Sequence, residues 1–99
     1  MSAAAEAKWV PAFAAGVKFR HDEVRQAWIV LAPERLFLPD EQAVEVLQLV
    51  DGRRSLGAIV DTLADRYSGA PRDVIATDVA AMLRDLADKN VLRLTPATA

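Results

Sequence analysis

The sequence predicts an α+β domain in which a three-stranded antiparallel sheet is followed by three helices. Three observations predict it. From Val17 to Leu38 apolar residues alternate or form short runs broken by turn residues, and from Asp40 to Leu86 they recur at i, i+3, i+4 and i+7. The two patterns are segregated along the chain instead of alternating, which places the helices on one face of an antiparallel sheet.

The strands come first. Val17, Phe19 and His21 alternate with Lys18, Arg20 and Asp22, and after a tight turn the run Gln26-Ala27-Trp28-Ile29-Val30-Leu31 is almost continuously apolar. A run of that kind belongs to a strand with neighbours on both edges, so it is the expected central strand. Ala32-Pro33-Glu34 supplies a second turn, and Arg35 to Leu38 form a third strand that Pro39 stops. This third strand is the expected sheet edge.

The first helix opens at Asp40 and buries Ala43, Val46, Leu47 and Val50. Asp51-Gly52-Arg53-Arg54 joins it to a second, capped by Ser55, whose stripe is Leu56, Ile59, Val60, Leu63, Ala64 and Tyr67. So short a joint makes the two helices close neighbours over one core. Ser68-Gly69 ends the second helix, Pro71 starts the third, and Ile75, Val79, Met82, Leu83 and Leu86 form its core stripe, with Val74, Asp78 and Ala81 beside it bordering a groove. Asn90 is the expected C-terminal cap, and Val91 to Leu94 pack back on the domain. The boundaries are therefore a flexible tail over 1–15, one folded domain over 16–94 and a second tail over 95–99.

Composition bounds what such a domain does. Its 99 residues are 53% hydrophobic and 26% charged, enough for one core and no second. No apolar run approaches the roughly 20 residues of a membrane span, and the alanine-rich start lacks the charged and apolar regions of a secretory signal, so the expected location is cytoplasmic with no membrane contact. Cysteine is absent and His21 is the single histidine, which removes disulfides, thiolate chemistry and His/Cys metal sites together. The formal net charge of -2 disfavours a partner held by phosphate neutralisation.

Candidate chemistry is sparse. Asp61 with Asp65 and Asp85 with Asp88 are spaced to share helix faces, but neither pair has an accompanying base or glycine-rich loop, and both are read as solvated. Ser55 and Ser68 have no histidine to activate them. No catalytic residue, metal or cofactor is expected. Arg53 and Arg54 lie where a helix-turn-helix reader places phosphate contacts, and a solvated turn explains them as well. The remaining asset is the edge at Arg35 to Leu38, which either accepts another chain or is kept short and charged against aggregation.

Leu31-Ala32-Pro33-Glu34-Arg35, the run Ala43 to Ser55 containing Leu49-Val50-Asp51-Gly52-Arg53-Arg54, then Ile59-Val60, Tyr67, Asp78-Val79 and Leu83 resemble the PqqD family of pyrroloquinoline quinone (PQQ) biosynthesis, over roughly Val17 to Leu94. Lys89-Asn90 stands where family members often carry Gly. The resemblance implies a winged-helix-like peptide-recognition domain and a non-catalytic chaperone. It implies binding of the ribosomally made precursor peptide PqqA and its presentation to the radical SAM enzyme PqqE, which cross-links a Glu and a Tyr of the peptide. In related domains the leader segment adds as a strand to the third strand and rests against the third helix. Carried onto this sequence, that implies Arg35, Leu36, Phe37 and Leu38 for the edge and Ile75, Asp78, Val79 and Met82 for the helix side of the cleft, with core packing the competing role for Ile75, Val79 and Met82. If Phe37 turns its N–H outward to the peptide, Phe37→Pro should weaken binding well over tenfold with the helices still folded. The alternative is a winged-helix DNA-binding regulator, whose binding would weaken steeply with salt. A monomer is the expected working form, and short hinges leave a swapped dimer open at high concentration.

Overall fold

The computed structural model describes residues 7–96. In chain order the elements are β1 (Trp9–Phe13), β2 (Lys18–Asp22), β3 (Ala27–Ala32), β4 (Arg35–Phe37), α1 (Glu41–Gln48), α2 (Leu56–Arg66), α3 (Arg72–Asp88) and β5 (Leu92–Pro96). The expected three strands and three helices are present in the expected order, with β3 central in the antiparallel sheet β2-β3-β4.

The structure adds a second sheet. β1 and β5 pair antiparallel from Trp9↔Pro96 to Phe13↔Leu92, so Trp9–Phe13, read from the sequence as part of a tail, is a strand. Residues 1–6 and 97–99 of the two expected tails lie outside the described residues. Pro11, wholly buried, opposes Leu94 within this ladder, a position open to proline because a two-stranded sheet consists only of edges. The ladder continues through Ala14 N–H to Val91 O (3.0 Å), and Ala7 O accepts from Gly57 N–H (3.0 Å), one of the donors that the start of α2 cannot satisfy internally.

Local chemistry sets the element boundaries. In the turn between β2 and β3, Asp22 accepts from Val24 N–H (3.0 Å) and Arg25 Nη1 (2.7 Å), and Gln26 takes the left-handed conformation at φ 56°. The Arg25 hydrogen bond is the main cause holding the Asp22 carboxyl below its ordinary value of 3.8. Asp40 caps α1 through Ala43 N–H (2.8 Å), and Ser55 caps α2 through Ala58 N–H (3.1 Å). Between them Asp51 accepts from the N–H groups of Arg53 (2.9 Å) and Arg54 (2.8 Å), closing a turn in which Gly52 sits at φ 76°. At the end of α3, Asn90 N–H bonds Ala87 O (3.0 Å) and Val91 N–H bonds Leu86 O (2.9 Å), the paired pattern of a helix that ends on a left-handed residue, and Asn90 is that residue at φ 64°.

The core lies where the helices meet the two sheets. Val30 of β3, Val46 and Leu47 of α1, Leu56, Ile59, Val60 and Leu63 of α2, Val79, Ala80 and Leu83 of α3, and Val91 and Leu92 form one buried cluster. Phe13, Phe19 and Phe37 pack against it from the sheets. Phe13 stacks on Phe19 with ring centroids 5.8 Å apart and Phe19 on Trp28 at 4.8 Å, so the two sheets are joined by a row of aromatic rings. His21 meets Trp28 edge-on at 5.6 Å, half-buried on the face it shares with Phe19. Asp61 and Asp65 are exposed as expected, and Asp61 also takes Arg72 Nη2 at 2.5 Å, tying α2 to the start of α3, while Asp85 holds Lys89 (2.9 Å) one turn along.

Two outcomes follow for stability. Asn90→Ala, which forces an alanine into the left-handed region, lowers unfolding free energy by about 1 kcal/mol, and Asn90→Gly does not, as read from denaturant midpoints. Two backbone N–H donors, Arg54 first, depress the Asp51 carboxyl. A depressed folded pKa adds stability that is present above the ordinary 3.8 and is lost as pH falls through the lower folded value. Asp51→Asn therefore flattens the acid limb of the stability profile between 3.8 and the lower folded value.

Candidate functional site

β4 is three residues long and lies at the edge of the sheet, paired with β3 through Val30↔Phe37, Leu31↔Leu36 and Ala32↔Arg35. The two-residue turn Pro33-Glu34 closes the pair Ala32 and Arg35, and hydrogen-bonded and open pairs alternate along an antiparallel ladder. The backbone groups of Phe37 therefore face Val30, and those of Leu36 face outward. The condition placed on Phe37 is therefore not met: by ladder parity its N–H faces β3 and its ring packs on the core, and Leu36 carries the outward donor and acceptor. Leu36 and Leu38 are also among the largest apolar exposures, at 42% and 63%. Arg35 is exposed at the start of the strand.

Beyond Leu38 only Pro39 and Asp40 precede α1, so Phe37 and Glu41 are at most about 14 Å apart along the chain. Glu41 stands on the rim of a groove of about 470 Å³ between α1, the end of α2 and α3. Ile75, Asp78, Val79 and Met82, the four helix residues expected for the cleft, all line it. Val79 is buried and belongs to floor and core together, Ile75 and Met82 are half-buried, and Asp78 is exposed on the rim. Arg35, Leu36, Phe37 and Leu38 do not line it; the opposite wall is α1, through Glu41, Glu45 and Val46. The expected site is thus two adjoining features, an edge and a groove, linked through the β4–α1 connection.

Tyr67, expected on the core stripe of α2, is the residue that sequence reasoning misplaced. It is the residue after the last turn of α2, 46% exposed, and its hydroxyl donates to the Glu45 carboxylate across the end of the groove. That hydrogen bond is the main cause raising the phenol above its ordinary 10.0, since ionising it would set two anions against each other. Glu41 and Glu45 carry no signal in the sequence as groove residues, because no one-dimensional pattern shows that α1 faces α3. Val74, beside the core stripe of α3, is 50% exposed on the same rim.

A free strand edge leading into an apolar groove between helices is the arrangement of a domain that binds an extended chain. The model of the family described as coenzyme PQQ synthesis protein D (PqqD) matches residues 27–92, and the protein belongs to that family. It is similar to proteins named PqqA binding protein: that of Rhodopseudomonas palustris strain BisB5 is 57% identical over 82 residues, 83% of this chain and 79% of the relative. That of Gluconobacter oxydans is 51% identical over 83 residues, 84% of this chain and 85% of the relative. It also matches the bifunctional coenzyme PQQ synthesis protein C/D of Methylorubrum extorquens, 46% identical over 83 residues that make up 22% of that longer protein. Among solved structures, it is similar to the solution structure of the PqqD truncation of Methylobacterium extorquens PqqCD, described as a functional, stand-alone recognition element for ribosomally synthesized and post-translationally modified peptides. The TM-score is 0.70 at 45% identity, over 85% of this chain and 88% of that one. The crystal structure of PqqD from Xanthomonas campestris gives a TM-score of 0.56 at 41% identity, over 83% and 90% of the two chains. The family is one of recognition and not catalysis.

Tyr67 is the single tyrosine, so phenolate absorbance reports on it alone. It titrates above 10.0, and Glu45→Gln, which removes the neighbouring charge, moves the midpoint back toward 10.0. An unchanged midpoint would separate Tyr67 from Glu45 in solution.

Proposed function

We propose that the protein is a non-catalytic chaperone of PQQ biosynthesis that binds the ribosomally made precursor peptide PqqA as an added strand on β4 and presents it to the radical SAM enzyme PqqE. The observation that carries this reading is the outward-facing backbone of Leu36 on a short edge strand, continuous with the groove through Pro39 and Asp40. Strand addition takes its affinity from main-chain hydrogen bonds and its selectivity from pockets for alternate side chains, and here Leu36, Leu38 and the groove supply the second. Names of the relatives support the peptide, and the family resemblance supports the enzyme partner. The working form is a monomer acting in the cytoplasm, because exchange of elements through the β4–α1 hinge would occupy the edge the peptide needs. Among the described residues no helix is long and apolar enough to cross a membrane. The DNA-binding alternative gains nothing from the structure: the Arg54 guanidinium pairs with Asp51 (3.6 Å), and the charged residues of the groove are acidic.

An amide chemical-shift titration with synthetic PqqA tests this, with shifts expected in β4 and along the α3 wall. Leu36→Pro removes the one outward donor without touching a β3 partner and lowers affinity more than about tenfold with the helices intact. Equal affinity in a folded Leu36→Pro variant would move the peptide off β4.

A further inference from the structure

The groove carries charge of one sign. Of its lining residues three carry carboxyl groups, Glu41, Glu45 and Asp78, and none is basic. Among the described residues the ion pairs lie elsewhere: Asp22 holds Arg25, Asp51 holds Arg54, Asp61 holds Arg72 and Asp85 holds Lys89. Glu45 accepts from a hydroxyl, that of Tyr67. Beneath these carboxylates the floor is apolar, built from Val46, Leu63, Ile75, Val79 and Met82. An apolar trough lined by acidic and no basic side chains fits one kind of side chain, a flexible aliphatic stem that ends in a cation. An acidic or purely polar side chain would meet repulsion at the rim or lose hydration over the floor.

We propose that this groove is a selectivity subsite for a Lys or Arg of the bound peptide, whose stem lies over Val79 and Met82 and whose charged end is held between Glu45 on α1 and Asp78 on α3. The proposal rests on the peptide-binding reading above and deepens it. β4 supplies contacts that any sequence satisfies, since its outward groups are backbone, and the groove supplies the discrimination. The carboxylates stand on opposite walls, so a cation between them draws α1 toward α3 while a neutral side chain of the same length does not. Tyr67, hydrogen-bonded to Glu45, orients one carboxylate and acts as a positioning residue.

The test is calorimetric titration of the full chain with synthetic PqqA and with the same peptide carrying Gln in place of every Lys and Arg, at low and high salt. Wild-type protein is expected to prefer the unaltered peptide by about tenfold or more, the preference shrinking as salt screens the pair. In the double variant Glu45→Gln with Asp78→Asn, confirmed folded by circular dichroism, the two peptides are expected to bind alike. Equal affinity of both peptides for the wild type, with Leu36→Pro weakening both, overturns the cationic subsite and leaves strand addition standing. A preference that survives in the folded double variant overturns the assignment to these two carboxylates. Failure of the wild type to bind either peptide overturns the peptide-binding reading itself and the subsite with it.

Discussion

The seam between α2 and α3 is the contact on which the other parts depend. Ile59, Val60 and Leu83 have no exposure to water, and Val91, just past the end of α3, is equally closed. Apolar surface removed from water on this scale is the largest favourable term available to so small a domain. It also fixes rotation about the axis of α3. With Leu83 and Ala80 turned into the seam, Val79 is carried to its edge, and Ile75, Asp78 and Met82 must look toward α1. The groove is a consequence of core packing and not a separate structure.

The sheets decide which backbone remains free. β1 and β5 bring the two ends of the described chain together and satisfy each other's ladder groups along one side, while Phe13, Phe19 and Trp28 bind that pair to the three-stranded sheet through their rings. β4 is left as an edge, held to three residues between Pro33 and Pro39. An edge this short is a weak template for unwanted association, since few groups are offered and each proline denies a donor next to them. A partner that also fills the groove gains contacts that a random strand does not. Brevity and the proposed function are therefore compatible: on that reading the short edge alone would bind poorly, and the edge together with the groove would bind selectively.

What was legible in the sequence was local. Asp40 and Ser55 announced helix starts because a cap is a contact between residues three apart, and Asn90 announced an end because few side chains tolerate the left-handed region. Val46, Leu47, Ile59, Val60, Val79 and Leu83 were readable as core from a 3.6-residue period. β1 was not readable. Pro11 interrupts its alternation and its partner strand lies at the other end of the chain, so neither period nor turn chemistry marks it. Tyr67 fell at the right phase for the core stripe of α2, but the helix ends before it, and its backbone at φ -118°, ψ 69° leaves the helical path and turns the ring to Glu45. The outward face of Leu36 needed the turn length as well as the strand, because ladder parity is counted from the hairpin.

The walls of the groove differ in rigidity, and that difference bears on how a chain enters it. α3 has 17 residues and is anchored by Val79, Ala80 and Leu83, whereas α1 has eight and buries only Val46 and Leu47 within its length. A helix of two turns has little stability of its own and depends on tertiary contact, so α1 belongs to the less stable part of the fold. Its side-chain tie across the end of the groove is the Glu45 bond to Tyr67, made in a partly exposed setting where a hydrogen bond contributes on the order of 1 kcal/mol. α3 therefore presents a fixed face, set by the seam with α2, while α1 and the β4–α1 connection adjust to what lies between. Because the same connection leads from the strand edge to the groove, a chain seated on β4 orders the approach to α1 and one seated in the groove steadies the edge. On the proposed reading, each half of the site would lower the ordering cost of the other, so that two small contacts act as one recognition surface.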